Sequence, residues 1–199
     1  MNIIDMHCDT LYQIYNAKRE GRTFSLRDTA SLLVNALKMK AGGYLLQNFA
    51  AFVDIEEAKE VLGGEDAPYR YAKELVRIFK EQIAANSDLI RPAASFAELQ
   101  ANQEAGVASA MLTLEEGGIC LGDIEKLREF YQDGARMMTL TWNYENEIGY
   151  PAAMQKEGSS GYRQGEKRTY GLKETGIQFL SEMETLGMII DVSHLSDDG

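Results

Sequence analysis

The sequence predicts an α/β fold, a (β/α)8 barrel of the TIM type, of which this chain supplies about the first five strands. Strand-like and helix-like segments alternate along the 199 residues, as they do in proteins with parallel sheets. Polar residues fall at or just after the carboxyl ends of the strands, where a barrel collects them at one mouth. The first turn, "HCDTL", contains no glycine, whereas a doubly wound nucleotide-binding sheet normally has a Gly-rich first turn. The barrel is therefore favoured.

The composition indicates a globular protein and excludes two classes of partner. The chain is 45% hydrophobic, enough for one sizeable core, and its formal charge of −11 argues against nucleic acid and anionic membranes, because both require basic patches. No run of about 18 apolar residues could span a bilayer, and no signal peptide opens the chain. Cys8 and Cys120 do not make a disulfide framework. We therefore expect a cytoplasmic protein.

The opening stretch, "NIIDMHCDTL", predicts a strand with three ionisable side chains on one face. Asp5, His7 and Asp9 occupy every second position, so in a strand they project to the same side. A buried charge costs several kcal/mol unless it is paired or bound to a metal. We therefore interpret at least two of these residues as cation ligands.

The segments after this strand carry ordinary helix and strand signals. Ser95 followed by Glu98 is a capping box, Asp123 is an N-cap, and the apolar run 107–118 is typical of a parallel strand covered on both faces. Residues 143–171, rich in Gly and Ser, predict a long loop at the mouth of the barrel. In chain order, the predicted elements are helix 26–43, strand 45–54, helices 65–88 and 95–106, strand 107–118, helix 123–134, strand 135–143, helix 172–187 and strand 188–194.

Three motifs at strand ends carry candidate metal ligands. His7-x-Asp9 places an imidazole and a carboxylate two residues apart, a spacing that lets both reach one divalent ion. "LEEGG" adds Glu115 and Glu116, and "DVSH" adds His194. Singly, each motif has an ordinary alternative: a strand-end ion pair for His7-x-Asp9, a solvated acidic turn for "LEEGG", and, as is more common for any one histidine, a satisfied core or rim histidine for His194. Their coincidence on one barrel favours a metal site, and a carboxylate between two imidazole-bearing strands suits two ions with a hydroxide between them.

Four stretches resemble the membrane (renal) dipeptidase family of zinc peptidases, which has an amidohydrolase-like metal-dependent barrel. They are "DMHCDTL", "LEEGG", "LREFYQDGARMMTLTWN" and "FLSEMETLGMIIDVSHLS", in the order in which the family has them. The resemblance implies a metallopeptidase that uses two zinc ions and takes dipeptides as substrates. It also implies that a metal-bridging hydroxide attacks the scissile carbonyl while zinc polarises its oxygen.

The resemblance implies roles for individual residues. His7 and Asp9 match the ligands of the first zinc ion, and His194 matches a ligand of the second. Glu116, immediately before the glycine pair, matches the carboxylate that bridges both ions, in preference to its neighbour Glu115.

The chain departs from the family pattern at two points. Trp142 stands in the place of a histidine that helps to stabilise the transition state, so either Asn143 substitutes as the catalytic hydrogen-bond donor or the pocket has a different shape. The chain also stops at Gly199, short of the eight strands and about 250 residues of a closed barrel. We therefore expect residues 1–199 to be the N-terminal portion of one hydrolase barrel. Asp5, without a ligand role, is expected to orient His7.

Two other functions stay open from the sequence. One is a barrel metallohydrolase that acts on cyclic amides or amino-substituted bases, although such enzymes usually open with His-x-His and this chain has Asp9 at the second position. The other is a non-catalytic fragment, because the family's further histidine ligand, substrate-binding arginine and late aspartate are not among these residues. Members of this family often form dimers, so the resemblance implies a homodimer as a candidate assembly.

Overall fold

The computed structural model describes residues 2–155 and 171–199. Within those two ranges, six strands alternate with seven α-helices, which confirms the predicted α/β class. The strands are β1 (Ile3–Asp5), β2 (Tyr44–Phe52), β3 (Ile90–Pro92), β4 (Ala108–Glu115), β5 (Ala135–Thr139) and β6 (Ile189–Asp191). The helices are α1 (Thr10–Arg19), α2 (Ala36–Gly42), α3 (Ile55–Leu62), α4 (Ala67–Ala85), α5 (Phe96–Glu104), α6 (Ile124–Gln132) and α7 (Glu174–Leu186).

The chain divides into two compact units. Unit 1 comprises Met1–Phe52 and Ala72–Thr113, and unit 2 comprises Val53–Tyr71 and Leu114–Gly199. Strand β4 therefore begins in unit 1 and ends in unit 2. Along residues 2–155 and 171–199, none of the helices has the length and apolar content that a membrane span requires.

Unit 1 contains the first strands of the sheet. Strands β1, β2 and β4 follow one another in that order, and β3 pairs with β4. The pairing of β1 with β2 is parallel and places Asp5 opposite Gln47. Helix α1 packs on β2, where the ring of Tyr12 meets that of Phe52 edge-on at 5.4 Å. This packing holds the chain segment between β1 and α1, which carries His7.

Unit 2 contains the end of β4 followed by β5 and β6. Strands β5 and β6 are parallel, with Met138 opposite Ile190. Two antiparallel bridges connect the segment after β5 to residues on either side of α7 and β6. Gly149 pairs with Leu172, just before α7, and Pro151 pairs with Leu195, after β6. Of the predicted loop 143–171, residues 156–170 lie outside the described part of the chain.

The strand β4 is buried at every position, as its continuous apolar run predicts for a covered parallel strand. Leu112 is 1% exposed and Leu114 is 0% exposed. The capping signals are also confirmed. Ser95 accepts a hydrogen bond from the amide of Glu98, and Asp123 accepts one from the amide of Glu125, at the N-termini of α5 and α6.

Several element boundaries differ from the prediction. The first strand ends at Asp5 instead of continuing through Asp9. The prediction that Asp5, His7 and Asp9 project from one face of a strand is therefore wrong. The predicted helix 26–43 is helical only over Ala36–Gly42, because Asn35 caps it there by accepting from the amide of Lys38. Three elements were missed: α1, α3 and β3. Strand β3 has three residues, too few for a periodic pattern.

An ion-pair network in unit 1 predicts a pH-dependent contribution to stability. Glu74 accepts hydrogen bonds from Arg77 Nε at 2.8 Å and from Lys18 Nζ at 3.0 Å. The hydrogen bonds from Arg77, with that from Lys18, lower the pKa of Glu74 to about 2. A carboxyl group whose pKa is lower in the folded state stabilises the fold above its unfolded pKa, and that contribution is lost as the pH falls through its folded pKa.

We expect E74Q to lower the free energy of unfolding by about 1–2 kcal/mol at pH 7, after allowance for solvent screening of this partly exposed group. Urea unfolding measured between pH 7 and pH 2.5 should show the difference shrinking below the unfolded pKa. E104Q, at an exposed position of α5, is the matched control and should behave as wild type at every pH. A difference that stays constant with pH would contradict the charge-based account.

Candidate metal centre

The first candidate pair lies in unit 1, in the segment between β1 and α1. Cys8 is buried, and its carbonyl oxygen accepts a hydrogen bond from the amide of Ala50 in β2 at 3.1 Å. Burial raises the pKa of the Cys8 thiol to about 12, so the thiol is protonated at neutral pH in the metal-free protein. With Cys8 anchored inward, its neighbours His7 and Asp9 keep side chains that are 44% and 46% exposed.

His7 and Asp9 contact each other directly. The distance from His7 Nε2 to Asp9 Oδ1 is 3.1 Å. Asp9 is also the N-cap residue of α1, yet within the described chain its side chain accepts no hydrogen bond from the first turn of that helix. Asp5 accepts from the backbone amide of His7 at 3.2 Å, so it contacts the backbone of His7. The Asp9 carboxylate is therefore directed to the imidazole and away from its usual capping role.

The second candidate pair lies in unit 2, after β4 and β6. Glu115 ends β4, and its Oε1 lies 3.6 Å from Nε2 of His194. His194 has a φ of 66°, in the left-handed region, and its carbonyl oxygen accepts from the amide of Ala152 at 2.8 Å. This turn presents the imidazole to the Glu115 carboxylate.

Asp191 shapes the turn that leads to His194. Its Oδ2 accepts from the Thr139 hydroxyl at 2.6 Å, and its Oδ1 accepts from the Ser193 amide at 2.9 Å. Burial acts to raise the pKa of Asp191, but the hydrogen bonds from Thr139 and Ser193 outweigh it and hold that pKa below its ordinary value. Asp191 is thus an ionised anchor that fixes the turn between β6 and His194.

Glu116 lies in a different environment from Glu115. It is 0% exposed and accepts hydrogen bonds from the amide of Gly118 at 2.8 Å, from the amide of Trp142 at 2.9 Å and from the side-chain amide of Asn146. Burial raises the pKa of Glu116 to about 6, although these three hydrogen bonds act against that rise. Both carboxylate oxygens are occupied by protein donors, whereas we expected Glu116 to be the metal-bridging carboxylate.

The backbone at Glu116 is what separates the two neighbouring carboxylates. Its φ is 91°, a region that costs a non-glycine residue about 1–3 kcal/mol. The glycine pair after it permits close packing. A Cβ on Gly117 would lie 2.7 Å from the Leu140 carbonyl oxygen, and one on Gly118 would lie 2.8 Å from Glu116 Oε1. The two glycines therefore accommodate the protein's own backbone and the Glu116 carboxylate.

Trp142 and Asn143 follow β5. The Trp142 ring has its centroid 6.5 Å from that of His194 and 5.9 Å from that of Tyr144, so it stands beside the candidate ligand. Asn143 is exposed, and its predicted role as a hydrogen-bond donor stays a prediction. Asn146, which is 6% exposed and binds Glu116, was not predicted from the sequence. A polar residue in an irregular segment has no local signal of burial.

Both pairs have the chemistry that zinc requires. Each consists of one imidazole nitrogen and one carboxylate oxygen, which are common zinc ligands. Two ligand atoms at about 2.0–2.2 Å from one tetrahedral ion are about 3.3 Å apart. The His7–Asp9 distance of 3.1 Å and the Glu115–His194 distance of 3.6 Å lie on either side of that value. Each pair could therefore contribute two ligands to one ion without large rearrangement.

Because the Asp9 side chain does not cap α1, its removal is expected to change the free energy of unfolding very little. D9A should change the free energy of unfolding of the metal-free protein by less than about 0.5 kcal/mol, because no capping bond is lost. D54A is the matched control, since Asp54 caps α3 by accepting from the amides of Glu56 and Glu57. It should cost about 1 kcal/mol.

Thermal and urea unfolding of both variants, without metal, measures the comparison. The same D9A protein should show weakened zinc binding in a chelator competition, while D54A should bind zinc as the wild type does. A D9A protein that loses as much stability as D54A would show that Asp9 serves the helix.

The comparisons with known proteins agree with one another. The model of the membrane dipeptidase family (peptidase family M19) matches residues 1–199. An uncharacterized dipeptidase of Schizosaccharomyces pombe is 26% identical over 202 residues, covering 98% of this chain and 46% of the relative. An uncharacterized Klebsiella pneumoniae protein encoded in the pqqA 5′ region is 30% identical over 121 residues, covering 60% of this chain and 42% of that protein. The chain thus spans about half the length of these curated relatives.

Solved structures share the fold. The structure described as dipeptidase AC, a metallopeptidase of family M19, has a TM-score of 0.79 at 20% identity and covers 100% of this chain and 58% of that one. A Rhodobacter sphaeroides metallopeptidase, solved with a phosphinate mimic of L-Ala-D-Ala, has a TM-score of 0.77 at 20% identity and covers 99% and 60%. These similarities confirm the predicted fold class, part of a TIM-like barrel. Because the family model matches residues 1–199, the chain belongs to the membrane dipeptidase family of metallopeptidases.

Proposed function

We propose that the protein containing this chain is a zinc-dependent dipeptidase, which hydrolyses the peptide bond of a dipeptide with a hydroxide bridging two zinc ions as the nucleophile. The observation that carries the proposal is the pairing of an imidazole with a carboxylate after the strands, His7 with Asp9 and His194 with Glu115, in a chain that matches a dipeptidase family throughout. Because the chain spans about half of its curated relatives, the activity is proposed for the whole protein.

The metal ligands are proposed from family membership and from the geometry within each unit. His7 and Asp9 would hold one ion and His194 the other, as the family resemblance implies. For the carboxylate ligand that the resemblance assigned to Glu116 we propose Glu115, because its Oε1 lies 3.6 Å from Nε2 of His194. Both oxygens of Glu116 accept hydrogen bonds from protein donors. When bound, zinc would polarise the scissile carbonyl and lower the pKa of a bound water to about 7.

The chain's own residues supply orientation around these ligands. Asp191 accepts hydrogen bonds from Thr139 and Ser193 and so fixes the turn before His194. Trp142 occupies the position where other family members use a histidine, and the exposed amide of the next residue, Asn143, is proposed to donate a hydrogen bond to the substrate instead. The Trp142 ring beside His194 would limit the space next to the metal ligand.

Removal and return of zinc tests the activity directly. We expect the purified protein to hydrolyse L-Ala-L-Ala or L-Ala-D-Ala, to lose this activity on dialysis against a chelator and to regain it when zinc is added. A panel that includes a six-membered cyclic amide separates the two enzymatic functions. Ring opening without dipeptide cleavage would overturn the dipeptidase proposal in favour of the cyclic amide hydrolase.

The assignment of Glu115 is tested by E115Q, with E184Q, at an exposed position of α7, as the matched control. E115Q removes a proposed ligand charge, so its zinc affinity should fall by more than the 10–100-fold that is typical of residues behind the ligands, and hydrolysis should fall to background. Equilibrium dialysis with zinc analysis measures the affinity, and circular dichroism checks the fold. E184Q should retain both properties. Normal zinc binding by folded E115Q would contradict the assignment.

A further inference from the structure

The buried carboxylate of Glu116 accepts hydrogen bonds from a segment of unit 2 that is far away in the sequence. Glu116 Oε2 accepts from the Trp142 amide at 2.9 Å, and Oε1 accepts from the Gly118 amide at 2.8 Å and from the side chain of Asn146. Two of these three donors are 26 and 30 residues away in sequence. Glu116 therefore joins residues 142–146 to the end of β4.

Asn146 extends this connection through the same segment. Its Nδ2 also donates to the carbonyl oxygen of Leu140 at 2.9 Å, and its Oδ1 accepts from the amides of Ile148 at 2.8 Å and Gly149 at 3.1 Å. The side chain of Asn146 thus holds both ends of the turn after β5. Its contact with Glu116 therefore links the whole turn to this carboxylate.

The connection lies next to the proposed ligands of unit 2. Glu116 directly follows Glu115 in the chain, and its φ of 91° sets the change of direction after β4. Trp142, whose amide Glu116 binds, has its ring centroid 6.5 Å from that of His194. The Glu116 carboxylate therefore binds the backbone of Trp142, whose ring stands beside His194, and Glu116 is itself the chain neighbour of Glu115.

We infer that Glu116 is a positioning residue for the proposed metal centre: its carboxylate fixes the turn 142–146 to the end of β4, and thereby sets the Trp142 ring beside His194 and the direction of Glu115. The effect on zinc and on hydrolysis rests on the proposed function. The effect on Trp142 does not, because it follows from the hydrogen bonds alone.

The variant E116Q tests the inference with little change of volume. It replaces one carboxylate oxygen by an NH₂ group, which is a donor and faces a backbone or side-chain donor in this site. E147Q is the matched control, because it removes the same charge from an exposed position next to Asn146. Trp142 is the single tryptophan of these 199 residues, so its emission, taken as the difference from a W142F variant, reports on this turn.

In the metal-free protein, we expect E116Q to remain folded by circular dichroism and to show red-shifted Trp142 emission with stronger acrylamide quenching, while E147Q matches wild type. Zinc affinity of E116Q should fall by about 10–100-fold, the range typical of residues that orient ligands. For L-Ala-L-Ala, kcat should fall more than KM rises, because alignment in the transition state is lost.

Two results would overturn the inference. One is a folded E116Q that is less stable than wild type but keeps the Trp142 emission and zinc affinity of E147Q, since Glu116 would then serve folding alone. If E116Q does not fold, N146S tests the same connection, and a folded N146S with wild-type emission and zinc affinity would be the second. A wild-type protein without zinc-dependent hydrolysis would refute the proposed function, yet the Trp142 comparison would still decide whether Glu116 fixes the turn.

Discussion

A carboxylate that has lost all contact with water needs hydrogen-bond donors from the protein, and the candidate site of unit 2 is arranged around that requirement at Glu116. The donors come from Gly118, Trp142 and Asn146. Each donor constrains its own segment. A side chain at Gly118 would press against the carboxylate, the backbone amide of Trp142 must point to it from the segment after β5, and the side chain of Asn146 must stay buried. The free energy of burying an unpaired carboxylate is large enough to hold these segments together.

The two candidate ligand pairs share a local design. In unit 1, buried Cys8 lies between His7 and Asp9, and its carbonyl oxygen is bound by the amide of Ala50. In unit 2, buried Glu116 follows Glu115 and is bound by residues 142–146. In both, an inward-facing residue with long-range hydrogen bonds directly adjoins the residue that carries a candidate metal-binding group. Ligands held in this way need little reorganisation when an ion binds.

The chemistry of the pairs follows from their placement after strand ends. Asp9 and His7 are about half exposed, and Asp9 leaves the first turn of α1 uncapped in favour of the imidazole. His194 stands in a left-handed turn anchored by Asp191. Such departures from local preference cluster where function requires them. Nitrogen and oxygen donors in these positions suit zinc, in agreement with the metallopeptidase family to which the chain belongs.

Sequence alone was enough to predict the α/β class, the buried strand β4, the helix caps at Ser95 and Asp123, and the position of both histidines near the carboxyl ends of strands, because these depend on periodicity and on contacts a few residues apart. It also supported recognition of the family. Sequence alone placed the end of the first strand too far along the chain and extended a helix through residues 26–35, where side chains such as Thr29 bind the backbone instead.

The different environments of Glu115 and Glu116 depend on contacts that form only in the folded chain. Adjacent residues differ in direction through the backbone dihedrals of a single turn, and the φ of 91° at Glu116 is maintained by donors that reach it from Trp142 and Asn146, far along the chain. A local pattern such as "LEEGG" contains no information about those donors. The environment of each carboxylate is therefore a property of the folded protein, and the assignment of Glu115 as a metal ligand is a proposal built on it.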